Sequence, residues 1–388
     1  MGRHAITAWS MIDNRRPMKI ERITPFLVDR CLLVRVYTDA GIVGSGEAGL
    51  WSSHRLVCEA IRDLSEYFVG KDPSRIEHHF QTLTRDTHFQ SAPLSAALSA
   101  IDIALWDVLG KSVDKPVYEL LGGKCRERVN VFAVVGGTTP DEMAESARQS
   151  VANGYTSLRV IPFLPGFEAL PSSKVIADAV HIVEAIREGI GWEIDLGVEI
   201  HRNFTRHEVV TFGQAVLPCR LLYLEDPLPP ENIEALRYVA EHVDIPLAAG
   251  ERADTMYQFK QIIDTGAVSL IRPDLSLAGG FTQVKKIAAL AEAAFVGVFP
   301  HLMGSPLNMA AFVQLDAAIP NYFLQEAHTG ADALNDILDE PLQRDGGYVV
   351  VPERPGIGVE VREEMLARFP YRPYTISGWY HADGSVAH

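Results

Sequence analysis

Three glutamates recur at a fixed interval: Glu199, Glu225 and Glu251 lie 26 residues apart. Each lies at or within two residues of the end of a short apolar run, at 194–200, 221–225 and 246–249. If those runs are neighbouring parallel strands, about 4.8 Å apart, the interval sets three carboxylates side by side at one rim. Ionised carboxylates crowded in this way raise one another's pKa unless a cation sits between them. An all-oxygen donor set points to a hard divalent ion, Mg²⁺ first and Mn²⁺ second. A single acid at a strand end is more often a helix cap or an ion-pair partner. Asp226, directly before Pro227, reads that way. Three acids in register carry more weight.

Two further runs, at 269–272 and 296–299, lead into Asp274 and His301. On adjacent strands a carboxylate accepts the second N–H of an imidazole, which fixes its tautomer and raises its basicity. His301 is therefore a candidate base and Asp274 its partner. His201, two residues after Glu199, points to the same side of its strand. It is a candidate second acid or base, because imidazole is an unusual ligand for Mg²⁺. Glu326 follows an eighth run, at 322–325.

To hold these groups, the chain after Arg128 alternates short apolar runs with helical stretches at a period of roughly 25 residues. Eight strand candidates fall at 129–135, 157–161, 194–200, 221–225, 246–249, 269–272, 296–299 and 322–325, and helices at 175–186, 233–242 and 281–293 occupy several of the intervals. So many β-then-α units predict a closed α/β barrel, which carries its chemistry at the carboxyl ends of the strands. The preceding segment differs. Ile20, Ile23 and Phe26, then Leu32 to Val36, a turn at Asp39-Ala40-Gly41 and a return at Ile42 to Gly44 form an antiparallel start. Helical periodicity follows at 57–68, 76–83 and 94–109. The organisation expected is an extension at 1–17, an α+β capping unit at 18–128, the barrel at 129–328, and a tail at 329–388 long enough to return to the cap.

The composition of the 388-residue chain is that of a globular protein, 47% hydrophobic and 22% charged, with a formal net charge of −15. So acidic a surface repels nucleic-acid phosphate and anionic membrane, and no basic run offsets it. Cys31, Cys58, Cys125 and Cys219 form no CxxC pair, which fits reduced thiols in the cytoplasm. The polar first 17 residues lack the apolar core of a signal peptide, and no apolar run is expected to span a bilayer. Gly44-Ser45-Gly46-Glu47-Ala48-Gly49 spells GxGxxG but follows a hairpin strand, so it is not read as a dinucleotide site.

The sequence resembles the enolase superfamily, in its mandelate-racemase-like subgroup, over nearly its whole length. The resemblance is carried by Ile101-Asp102-Ile103-Ala104-Leu105-Trp106-Asp107 with Leu120-Leu121-Gly122-Gly123, by Leu224-Glu225-Asp226-Pro227, by Gly250-Glu251, and by Arg272-Pro273-Asp274 with Ala278-Gly279-Gly280. It implies a (β/α)7β TIM-like barrel under an N-terminal α+β cap completed by the C-terminal tail, and a homo-oligomer. It also implies an essential Mg²⁺ on Glu199, Glu225 and Glu251, an Asp274–His301 base dyad, and Glu326 hydrogen-bonding the developing enediolate. The stretch from Gly44 through Trp51 and His54 becomes a cap loop over the substrate, with Trp51 and His54 as candidate contacts. The Pro/Phe-rich segment 163–171 becomes a lid or an oligomer contact.

Departures from the family pattern narrow the chemistry. The Lys-x-Lys pair that racemases and lactonising members carry on the second strand is replaced by Arg159 and Ile161. Arginine stays charged and is a poor proton acceptor, so two-base racemisation is disfavoured. Arg159 is left to bind the substrate or to serve as a structural ion pair. Glu199-x-His201 resembles the Asp-x-His of acid-sugar dehydratases, with glutamate for aspartate. The resemblance thus implies that His301 removes the proton α to the carboxylate of an aldonate of galactonate or gluconate type. His201 then protonates the departing β-hydroxyl, giving a 2-keto-3-deoxy acid. A cycloisomerase or epimerase using the same enolate is the alternative within the family. A non-catalytic barrel is disfavoured by the intact set of acids, which are costly to bury without use.

Overall fold

Alternating apolar residues and one tight turn build the first layer. β1 (Ile20–Val28), β2 (Cys31–Thr38) and β3 (Val43–Ala48) form an antiparallel sheet in that order. This is a computed structural model, and it describes residues 18–327, 331–376 and 378–387. The extension expected at 1–17, and residues 328–330 at the end of the expected barrel and start of the tail, lie outside the described residues. Helices α1 (His54–Phe68), α2 (Ile76–Asp86) and α3 (Ala92–Ser112) cover the sheet. Gly44 and Gly46 lie flush on α3, where a Cβ would collide with the carbonyl oxygens of Ala104 and Ala100. The Gly-x-Gly spacing therefore serves strand-on-helix packing. α3 is long and apolar enough to cross a membrane by length and composition, which corrects the expectation that no run is. Two-thirds of that stretch is buried in the protein, between the cap sheet and the barrel.

After the short α4 (Val117–Leu120) the chain enters the barrel. In order come β4 (Arg128–Val135), α5 (Pro140–Ala152), β5 (Ser157–Val160), α6 (Ser172–Ile190), β6 (Asp195–Glu199), α7 (Arg206–Val216) and β7 (Tyr223–Glu225). They continue with α8 (Glu234–His242), β8 (Leu247–Ala249), α9 (Met256–Asp264), β9 (Leu270–Ile271), α10 (Gly280–Ala293), β10 (Gly297–Val298), α11 (Pro306–Ala318) and β11 (Gln325–Glu326). Strands β4 to β10 pair in sequence, all parallel. β11 returns to β4 through Gln325↔Val131 and Glu326↔Phe132, and a bridge between Val298 and Tyr322 closes the ring. This is the expected (β/α)7β barrel. Its interior is filled by Phe132, Tyr223, Ala248, Leu270, Phe299 and Leu324. Gly197 makes room there for the ring of Tyr223, which a Cβ at that position would strike.

The tail first forms a hairpin, β12 (Arg344–Asp345) and β13 (Tyr348–Val350), and β13 pairs antiparallel with the start of β4. It then reaches the cap. Glu363, opening the short helix α12 (Glu363–Leu366), meets Arg35 at 3.0 Å and accepts from the Tyr37 hydroxyl at 2.5 Å. Cap and barrel are joined by polar contacts: Glu47 of β3 accepts from the backbone N–H of Ser305 at 3.0 Å and from its hydroxyl, and the Trp106 indole donates to Thr282 at 3.0 Å.

Candidate active site

The parallel pairing of β6 with β7 sets Glu199 directly opposite Glu225. Glu251 follows β8 across Gly250, whose φ of +123° lets the chain turn back toward the rim. One oxygen from each of the three acids lies within 4.8 Å of the others.

Three guanidiniums run between these acids. From β5, Arg159 places Nη1 3.0 Å from Glu199 and 3.5 Å from Glu225, and Nη2 3.0 Å from Glu326. Arg272, wholly buried at the end of β9, sets Nε 2.6 Å from Glu225 and Nη2 2.6 Å from Glu326, with its plane 4.1 Å over the Phe299 ring. Arg202 joins Asp226 and reaches Glu251 at 2.5 Å. Six carboxylates, counting Asp226, Asp274 and Glu326, thus face three arginines; with all six ionised, three negative charges are in excess before His301. Burial pushes Glu225 up to about 8 and Glu199 up to about 7, against the pull of Arg272 and Arg159. For Glu326 burial acts in the same sense, but Arg159, Arg272 and His301 together outweigh it and hold the carboxyl at about 2. An excess of negative charge and three oxygens converging on one point suit a divalent cation.

Across from the acids stands His301. Its Nδ1 lies 2.8 Å from Asp274 Oδ2. The other oxygen of Asp274 accepts from the backbone N–H of Ser276 at 2.8 Å and its hydroxyl at 2.5 Å, so the carboxylate cannot swing away. With Nδ1–H committed to Asp274, Nε2 is the atom that faces the rim, 3.8 Å from Glu251. Burial disfavours the charged ring, yet the hydrogen bond to Asp274 and the fields of Glu251 and Glu326 win and raise its pKa to about 9.

His201 lies just past β6 in a left-handed conformation (φ +50°), as does Arg202 (φ +65°), a strained pair of the kind found at functional turns. His201 Nε2 is 2.8 Å from an Arg202 nitrogen. A guanidinium only donates, so Nε2 accepts in this arrangement. Glu326, expected from the resemblance to donate a hydrogen bond, accepts at both oxygens instead, from Arg159, Arg272 and the N–H of Leu302 at 3.1 Å. The donors among the acids are the three guanidiniums and the N–H of Leu302. Arg159 is 8% exposed and makes ion pairs to three glutamates. Asp226 is buried and paired with Arg202, a structural role.

The two cap candidates separate. Trp51 is 41% exposed and lines a cavity between cap, tail and barrel. His54 is buried at the start of α1, bonded to the backbone of Ala48, and burial pushes its pKa down to about 4. It does not line that cavity. The segment 163–171 packs on the barrel, with Phe163 stacked on Phe167 and edge-on to Phe204. Sequence reasoning passed over Arg202 and Arg272. A charged residue closing an apolar strand, as in Ile271-Arg272-Pro273-Asp274, was the available signal.

A closed (β/α)7β barrel with three acids converging at the carboxyl rim and an Asp–His pair opposite is the architecture of a barrel enzyme whose polar groups gather at the strand ends. Residues 5–122 match the mandelate racemase / muconate lactonizing enzyme N-terminal domain, and residues 142–365 the enolase C-terminal domain-like family. The chain belongs to the enolase superfamily, in the mandelate racemase / muconate lactonizing enzyme family. It is 35% identical over 384 residues to the D-galactonate dehydratase of Variovorax paradoxus, covering 95% of this chain and 100% of the relative. It is 37% identical over 382 residues to that of Xanthomonas euvesicatoria, with the same coverage. The crystal structure of an enolase-superfamily member from Salmonella Typhimurium aligns with a TM-score of 0.87 at 31% identity, over 91% of this chain and 98% of that one. An enolase from Agrobacterium radiobacter, with bound sodium and L-malate, aligns with a TM-score of 0.88 at 27% identity, over 95% and 99%.

Proposed function

We propose that this chain is a Mg²⁺-dependent sugar-acid dehydratase acting on an aldonate of galactonate or gluconate type. The observation that carries the reading is the placement of His301, tied to Asp274 at 2.8 Å with Nε2 3.8 Å from the rim acid Glu251. Support also comes from Arg159, which stands where a second base would be needed for racemisation, and from the relatives named D-galactonate dehydratase.

Glu199, Glu225 and Glu251 would hold the ion. Mg²⁺ there would supply Lewis-acid stabilisation of the charge that builds on the substrate carboxylate. In its unprotonated form, His301 takes the proton α to that carboxylate at Nε2, while Asp274 holds the ring and balances the charge it gains. His201 delivers a proton to the β-hydroxyl, which leaves as water. The resulting enol becomes a 2-keto-3-deoxy acid by taking a proton at C3 and releasing the proton of its C2 hydroxyl. Arg159 and Arg272 hold Glu225 and Glu326 in place throughout and keep Glu326 ionised. The same proposal includes a small-molecule substrate, a homo-oligomer as in the family, and a cytoplasmic setting, which four unpaired cysteines suit.

Its test is a panel of aldonic and aldaric acids with Mg²⁺, scored for 2-keto-acid formation and for exchange of the α-proton in heavy water. His301→Asn is expected to abolish both. If both persist, His301 is not the base. Exchange by the wild type without loss of water would indicate an epimerase or cycloisomerase.

A further inference from the structure

The ladder between β9 and β10 ends where Val298 lies opposite Ile271, with one further bond from the Phe299 N–H to the Ile271 carbonyl at 2.9 Å. Beyond it, Asp274 and His301 ride on separate loops that lead into α10 and α11. A base and the carboxylate that orients it need a fixed separation. Contacts outside the ladder must therefore hold these two loops together.

The end of β3, in the cap, touches both loops. On the His301 side, Glu47 accepts from the N–H of Ser305 at 3.0 Å and from its hydroxyl, four residues after the base. Gly304 permits the approach, since a Cβ there would lie 2.6 Å from Glu47 Oε1 and 2.7 Å from Asn308 Nδ2. On the Asp274 side, two residues beyond Glu47, the N–H of Gly49 donates to the Ser276 carbonyl at 2.8 Å. The Ser276 hydroxyl donates to Asp274 Oδ1 at 2.5 Å and accepts from Nδ2 of Asn308, on α11, at 3.2 Å. Glu47, Ser276, Ser305 and Asn308 are all buried, where such bonds are strong and leaving one unmade is costly. The charge of Asp274 adds to burial in pushing Glu47 up to about 7, so the two carboxyls lie within electrostatic reach of each other.

We propose that Glu47 is a positioning residue for the base: seated on Ser305 while Gly49 holds Ser276, it sets the separation of the loops that carry His301 and Asp274. This rests on the reading of His301 as the base of a dehydratase. A displacement of about 1 Å at a reacting group costs about a hundredfold in rate. In Glu47→Ala at pH 8, kcat and α-proton exchange are therefore expected to fall about ten- to a hundredfold, with KM changed less than about threefold. Glu47→Gln keeps an acceptor for the Ser305 N–H and should stay within about threefold of wild type. Ser305→Ala removes the hydroxyl half of the same contact and should slow kcat about fivefold, which keeps the test decisive if Glu47→Ala does not fold. Trp106→Phe, which removes the cap's hydrogen bond to Thr282 on α10, is the control for a loosened cap and should leave kcat within about twofold.

A second readout needs no substrate. The proton between His301 Nδ1 and Asp274 gives a downfield NMR resonance, identified by its absence from His301→Asn. Glu47→Ala and Ser305→Ala should move or broaden it, and Glu47→Gln and Trp106→Phe should not. Unchanged kcat and resonance in the folded Glu47→Ala or Ser305→Ala protein would overturn the proposal. So would a Trp106→Phe loss as large as that of Glu47→Ala, or a Glu47→Gln protein as slow as Glu47→Ala. If the wild type exchanges the α-proton without losing water, the dehydratase reading falls and the exchange rates decide on Glu47. If it neither dehydrates nor exchanges any acid, that reading falls and the resonance alone decides.

Discussion

Arg272→Met isolates the part the buried guanidiniums play. Arg272 is wholly buried, 2.6 Å from both Glu225 and Glu326, and lies over Phe299. Methionine keeps much of the side-chain length, so the cavity left behind is small and the loss is mainly one of charge. Breaking a buried pair by removing one partner costs about 3–5 kcal/mol, because the remaining ions stay buried without compensation. The cation–π contact adds about 1–2 kcal/mol. At about 2 °C or somewhat less per kcal/mol for a chain of this size, the melting temperature in chelator should fall by about 5–10 °C. Saturating Mg²⁺ is expected to shrink that gap by about half, since a dication among the same acids replaces part of the lost charge. The assay is thermal unfolding at pH 8 with EDTA and with Mg²⁺, on wild type and variant together. A variant within about 2 °C of wild type in EDTA would refute the reasoning, for it would mean that the acids are neutral where they lie.

Other consequences concern the cap and its proton balance. Burial pushes Glu47 up to about 7, against hydrogen bonds from Ser305. The folded state therefore holds a proton between about pH 4.5 and 7 that the unfolded chain releases, so this group lowers stability as pH rises through that window. Glu47→Gln removes the penalty and should gain on wild type by about 3 kcal/mol between pH 4.5 and pH 8, read by denaturant titration at several pH values. His54 acts in the opposite sense: its lowered pKa means stability is lost as pH falls from about 6.5 to about 4, and His54→Leu should flatten that acid limb. Gly46→Ala forces a Cβ against the Ala100 carbonyl and should destabilise the cap by about 1–3 kcal/mol in the same assay.

The eight strands were legible because each apolar run between helices is short and ends in a polar residue. The runs at 129–135, 157–161 and 194–200 became β4, β5 and β6 to within a residue or two at either end. The last run was harder. Residues 322–325 contribute a bridge at Tyr322 and only Gln325 to β11, because barrel closure against β4, 194 residues earlier, decides where pairing occurs. The meeting of Glu199, Glu225 and Glu251 followed from a constant interval on consecutive strands. The arginines did not, since an ion pair such as Arg272 with Glu326 joins strands far apart in sequence, and only the closed ring makes them neighbours. The Glu47–Ser305 contact was hidden for the same reason: one partner sits in the cap and the other in the barrel.

β4 has one edge occupied by β5 and the other shared between β11 and β13. Roughly 190 residues separate the end of β5 from the end of β13. At 5–20 residues per second, a ribosome leaves that second edge open for about 10–40 s after the first pairing becomes possible. An unpaired strand of eight residues is an invitation to foreign strands. Production of this protein is thus governed by what shields that edge during synthesis, and slower translation past Val160 should increase the share that aggregates.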